Sequence, residues 1–125
     1  MAKFLNCKSC GNLIAMVIEG GGPMTCCGAP LAELVANTQE ASTEKHIPAV
    51  EKTPGGIKVQ VGSVLHPMDE GHYIGFIYVQ TKNGGQDAML AIGAAPEAEF
   101  CLAGGDEVVA VYAWCNLHGL WKLDV

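Results

Sequence analysis

Near its end the chain reads "WCNLHGLWK", Trp114 to Lys122, which places Cys115 and His118 in a Cys-x-x-His pair. That is a metal-ligand spacing when further donors complete the shell. The remaining histidines are candidates: His46 lies in "EKHIP", and His66 and His72 share "HPMDEGHY". Four imidazoles and one thiolate form a mixed nitrogen and sulfur set that suits iron. Five such donors leave a sixth octahedral position open to a small molecule.

A second set of donors precedes these. Cys7-Lys8-Ser9-Cys10 is a C-x-x-C pair, and Cys26-Cys27 follows after fifteen intervening residues. Four thiolates from two short loops can surround one ion tetrahedrally, and their softness restricts it to zinc or iron. A structural zinc ribbon is the plainer interpretation, but such ribbons use C-x-x-C at both ends, and here the second pair is adjacent. Gly11 and Gly28, each following a pair, suit tight turns whose N–H groups point at sulfur. Cys101 falls outside both sets and reads as a packed free thiol.

The elements that must position these donors are mostly strands. "IKVQVG" alternates, with Ile57, Val59 and Val61 on one face and Lys58 and Gln60 on the other. "YIGFIYVQ" ends before "TKNGGQ", where Asn83-Gly84 signals a hairpin and "DAMLAI" is the expected partner. "EVVAVYAW" is apolar at nearly every position, as a strand buried on both faces would be. Two segments, "PLAELVAN" and Ser42 to His46, suit short helical turns. The polar stretch "ANTQEASTE" reads as a connector. We therefore expect an all-β protein: a small module over residues 1–37, then an antiparallel β-sandwich over 38–125.

Composition narrows the function. The net charge is −6, and the seven basic side chains are all lysine. No basic stripe is available for phosphates, which argues against a nucleic-acid partner. No apolar run has the length of a membrane span. The first residues carry no apolar stretch of the secretory type, so a reducing cytoplasm is the expected compartment, where cysteines serve as ligands rather than disulfides.

Taken jointly, C-x-x-C…CC, "EKHIP", "HPMxxxHY" and "CNLHGLWK" resemble the desulfoferrodoxin family, in order and over essentially the whole chain. The resemblance implies a rubredoxin-like or desulforedoxin-like module whose iron is bound by Cys7, Cys10, Cys26 and Cys27. It implies an immunoglobulin-like sandwich with a second non-haem iron, held equatorially by His46, His66, His72 and His118 and axially by Cys115. The implied reaction is one-electron reduction of superoxide to hydrogen peroxide without release of dioxygen. The implied partners are a donor such as rubredoxin and a second copy of the chain in a homodimer. Glu44 and Lys45 match the family's mobile Glu-Lys pair, with Glu44 a ligand to the oxidised iron after product leaves.

The residues themselves give these roles a physical basis. Superoxide is an anion, and an acidic protein repels it unless local positive charge corrects the field. Lys45, beside His46, can supply that charge and orient a water that protonates the product. Lys122 reads as a solvated surface lysine. N–H groups of the loop from Asn116 to His118 are expected to temper donation from the Cys115 sulfur. Two other readings compete: a non-enzymatic electron-transfer or zinc-stabilised binding protein, and a superoxide dismutase.

Overall fold

The computed structural model describes residues 2–39 and 45–125. Spatial proximity divides the chain into two compact units, Met1–Val35 and Ala36–Val125.

The first unit is built from short strands: β1 (Lys3–Asn6), β2 (Leu13–Met16), β3 (Thr25–Cys26), β4 (Ala29–Pro30) and β5 (Ala32–Glu33). Three of them form a sheet in the order β2-β1-β5, and β3 and β4 form a separate ribbon. Its buried apolar side chains are few, chiefly Phe4, Leu5 and Cys7. A core this small supplies little stability, so a metal staple is the usual complement. The "PLAELVAN" segment is not helical. Ala32 and Glu33 pair with Asn6 and Leu5, and the Leu34 N–H donates to Phe4 O at 2.9 Å. Pairing with β1 takes the backbone groups that a helical turn would have used, and tertiary context overrides the local preference. The segment expected to turn at Ser42 lies largely outside the described residues.

The second unit contains β6 (Pro48–Thr53), β7 (Gly56–Val61), β8 (Ile74–Thr81), β9 (Gly84–Met89), β10 (Glu97–Cys101), β11 (Val108–Cys115) and β12 (Gly119–Asp124). They form a three-stranded sheet, β10-β7-β6, and a four-stranded sheet, β12-β11-β8-β9. Every strand pair is antiparallel. The core of this sandwich joins Ile57, Val59 and Val61 to Ile74, Ile77, Val79, Val111, Ala113 and Cys115. Each large aliphatic side chain buried there contributes about 1.5–3 kcal/mol. The alternation in β7 thus decides which face is covered. On the other face of β11, Trp114 stacks on Phe76 and Tyr112 meets Tyr78 edge-on, which is why this strand is apolar throughout.

Two details differ from expectation. The hairpin between β8 and β9 turns on Lys82-Asn83, one residue early, because Thr81 pairs with Gly84. The Asn83 N–H is held by Asp106 Oδ1 at 3.3 Å and the Lys82 N–H by Glu107 O at 2.9 Å. Cys101 is exposed rather than packed. Phe100 takes the inward position on β10, so strand alternation turns its neighbour outward.

Register places the functional end. Pro48 opposes Val61, and Ile74 opposes Cys115. The start of β6 therefore meets the end of β7, and the start of β8 meets the end of β11. His46, His66, His72, Cys115 and His118 all lie at or just beyond those strand ends.

Candidate metal centres

The five donors converge. His46, His66, His72, Cys115 and His118 each offer a ligand atom, and these atoms all lie within 4.8 Å of one another. The four imidazoles form a closed cycle in sequence order. Centroids are 4.7 Å apart for His46–His66, 4.6 Å for His66–His72, 5.1 Å for His72–His118 and 5.0 Å for His118–His46. His66 and His118 are thus opposite corners. The Cys115 sulfur is 3.6 Å from His66 Nε2 and 3.7 Å from His118 Nδ1. Near-equal distances to opposite corners put the sulfur close to the plane that bisects that diagonal.

Metal–nitrogen bonds of about 2.1 Å space neighbouring corners by about 3.0 Å. His46 Nε2 and His118 Nδ1 are 3.2 Å apart, which fits. The fit extends to single atoms. His72 Nε2 is buried without a hydrogen-bond partner, as suits a nitrogen reserved for a metal. His66 Nδ1 lies 2.8 Å from Pro67 O; a carbonyl only accepts, so Nδ1 carries the proton and Nε2 keeps its lone pair for the ion. Cys115 is fully buried in the apolar core, whereas His118 is exposed and His72 half-buried. The cluster therefore grades from a dry side, with Cys115, His46 and His66 buried, to a wetter edge at His72 and His118. Among the described residues no sixth donor joins the cluster.

Supporting residues that local sequence patterns did not reveal hold this square. Trp121 stacks on His46, with centroids 4.4 Å apart and planes inclined by 14°. Its Nε1–H donates to His118 O at 3.2 Å, so one indole braces two adjacent corners. Gly62 lets two backbones approach: a Cβ there would lie 2.9 Å from Lys45 O and 3.0 Å from Ile47 O, on either side of His46. Gly119, at φ +82°, ends the turn that carries His118, a conformation that favours glycine. The Asn116 N–H does not serve the sulfur; it donates to Tyr73 O at 3.1 Å. Lys45 is half-buried beside His46, Lys122 pairs with Asp124 at 3.2 Å, and Glu44 lies outside the described residues.

In the first unit Cys7, Cys10, Cys26 and Cys27 form the other cluster. Sulfur separations of 3.6 Å for Cys10–Cys26 and 4.0 Å for Cys26–Cys27 bracket the edge of about 3.8 Å that a tetrahedron with bonds of about 2.3 Å requires. Gly11 and Gly28 have positive φ, and Cys27 itself sits at φ 53°. Asn12 Nδ2 donates to Cys26 Sγ at 3.7 Å. The Cys10 N–H holds the Cys7 thiol down to about 6, while hydrogen bonds with Cys10 and Cys7 push Cys27 up to about 12.

Fold and sites together define a non-haem metalloprotein with two separate centres, one closed and sulfur-only, one nitrogen-rich and open. A family model described as desulfoferrodoxin matches residues 38–124. Desulfoferrodoxin of Nitratidesulfovibrio vulgaris is 45% identical over 118 residues, 94% of this chain and 92% of that protein. The superoxide reductase of Treponema pallidum superposes with a TM-score of 0.85 at 34% identity, covering 99% of this chain and 98% of that one. A superoxide reductase (neelaredoxin) of Archaeoglobus fulgidus, a mutant in its reduced form, gives a TM-score of 0.58 at 26% identity, covering 72% of this chain and 95% of that one. The chain belongs to the desulfoferrodoxin family. Its two donor sets fit the two non-haem irons expected of a member.

Proposed function

We propose that this protein is a superoxide reductase. The observation that carries the reading is the asymmetric donor set: a cycle of four imidazoles with one buried thiolate, no sixth donor among the described residues, and a wetter edge at His72 and His118. His46, His66, His72, His118 and Cys115 would hold a ferrous iron, which would supply the one electron that, with two protons, takes superoxide to hydrogen peroxide. The protein determines the rest. Cys115 in the apolar core keeps the sulfur away from water, and the half-buried Lys45 sets positive charge beside His46 against a net charge of −6. Lys45 draws the anion in and orients a proton-bearing water towards the product, and Glu44, by the family resemblance, would ligate the oxidised iron once product has left. A closed-shell electron carrier has no use for an open side, which disfavours that alternative.

The four-cysteine centre is a separate iron site in module 1–37, and module 38–125 carries the reaction. We infer that a small one-electron donor such as rubredoxin restores the ferrous state, and that the protein works as a cytoplasmic homodimer. Family resemblance supports these partners. Among the described residues no helix is long and apolar enough to cross a membrane.

Pulse-generated superoxide tests the reaction. The reduced two-iron protein is expected to yield one peroxide per superoxide with stoichiometric oxidation of the open iron and no dioxygen. Dioxygen at half the superoxide consumed identifies dismutation instead. For Lys45→Ala the expected outcome is association slowed by about three- to tenfold, with a flatter ionic-strength dependence. Rates matching the parent at every salt concentration would remove Lys45 from the steering role.

A further inference from the structure

Asn116 lies between two donors, Cys115 and His118, yet its side chain serves a third. Oδ1 accepts from the Tyr73 N–H at 2.8 Å, and Nδ2 donates to Gly71 O at 3.0 Å. The Asn116 backbone N–H adds a bond to Tyr73 O at 3.1 Å. The two amide bonds land on the residues immediately before and after His72. Their sense is fixed, because an N–H can only donate and a carbonyl can only accept. Asparagine is common in turns, where it usually bonds its own loop. Here it reaches a segment more than forty residues away in sequence.

The segment it grips is otherwise closed by a pair of backbone hydrogen bonds between Asp69 and His72, at 2.9 and 3.1 Å. His72 is itself a partner in that isolated bridge, just before the start of β8, and Gly71 beside it is exposed. His72 Nε2 has no hydrogen-bond partner, and the ring meets those of His66 and His118 edge-on. We propose that Asn116 is a positioning residue of the open iron centre: by bracketing His72 from the Cys115–His118 turn, it locks one equatorial corner to the axial sulfur and to the neighbouring corner. This inference rests on the reading of the five-donor cluster as an iron site. It goes beyond that reading by assigning to one amide the geometry of three ligands.

Side-chain chemistry predicts a graded series. Asn116→Ala removes both bonds. Asn116→Asp keeps the acceptor for the Tyr73 N–H but sets a carboxylate oxygen against Gly71 O, so it retains one bond and loses the other. The test uses the intact two-iron protein and reads the sulfur-to-iron charge-transfer band of the oxidised open centre, its reduction potential, and the rate at which a chelator extracts that iron. Expected for Asn116→Ala are a displaced band, a changed potential and extraction faster by about 10- to 100-fold, the range for losing an outer partner of a metal ligand. Asn116→Asp should fall between it and the parent. The four-cysteine spectrum, reported by the same samples, should stay unchanged. If both variants keep the parent band, potential and extraction rate, the bracket has no role. If instead the parent itself shows no histidine–cysteine iron band, it is the iron-site reading that fails. Should Asn116→Ala not fold, Asn116→Asp alone decides: a band and extraction rate equal to the parent overturn the proposal.

Discussion

Replacing Cys115 with serine removes the sulfur-to-iron charge-transfer band of the open centre and lowers superoxide reduction by more than about a hundredfold, beyond the cost of an outer-shell change. The magnitude follows from position. The sulfur lies within 3.6–3.7 Å of two opposite nitrogens of the imidazole cycle and is fully buried. A serine hydroxyl is smaller, un-ionised at neutral pH and a harder donor, so the axial bond is lost rather than weakened. No other thiol can replace it. Cys101 is exposed on β10, and the remaining four cysteines belong to the other cluster. Optical spectra and metal analysis of the same preparation check the result, with the four-cysteine band as internal standard. Retention of both bands at parental intensity would falsify the axial assignment.

The second large effect comes from a residue that touches no ion. For Gly62→Ala we expect stability reduced by about 1–3 kcal/mol and iron content falling from two towards one per chain. A Cβ at this position meets the carbonyl oxygens of Lys45 and Ile47, backbone atoms that cannot rotate away. These flank His46, so relieving the overlap must displace that ligand. The same turn also feeds His66, whose N–H donates to Val61 O at 2.8 Å. Two adjacent corners of the square therefore shift together. Denaturant titration and metal analysis measure the two expectations separately. A variant with the parental midpoint and two irons would show that the backbone there is slack.

How far the sequence foretold this depends on whether a feature is local. The alternation of Ile57, Val59 and Val61 follows from strand geometry, and it appears in the structure as buried residues at every second position. The first half of "DAMLAI", Asp87 to Met89, pairs with β8 as its flanking turn signals implied, whereas Leu90 to Ile92 lie beyond the strand. The donors were legible because sulfur and imidazole are scarce and chemically distinctive. Misses occurred where distant segments decide. "PLAELVAN" has helix-compatible residues, yet an open edge of β1 captures part of it as a strand. Cys101 looked like core because cysteine usually is, but its parity on β10 points outward. Trp121, Gly62 and the Asn116 side chain were missed for one shared reason. Each acts through contact with a segment remote in sequence, and neither composition nor periodicity carries that information.

The cycle of imidazoles has a mechanical consequence. His46 and His66 adjoin β6 and β7 of one sheet, while His72, Cys115 and His118 adjoin β8, β11 and β12 of the other. An ion shared among them rivets the two layers at one pole, where hydrogen bonding within each sheet cannot. Loading and cohesion are then linked by mass action, since an ion that binds only the assembled pole shifts the folding equilibrium towards it. Starving the protein of iron would therefore loosen the sandwich as well as silence its chemistry.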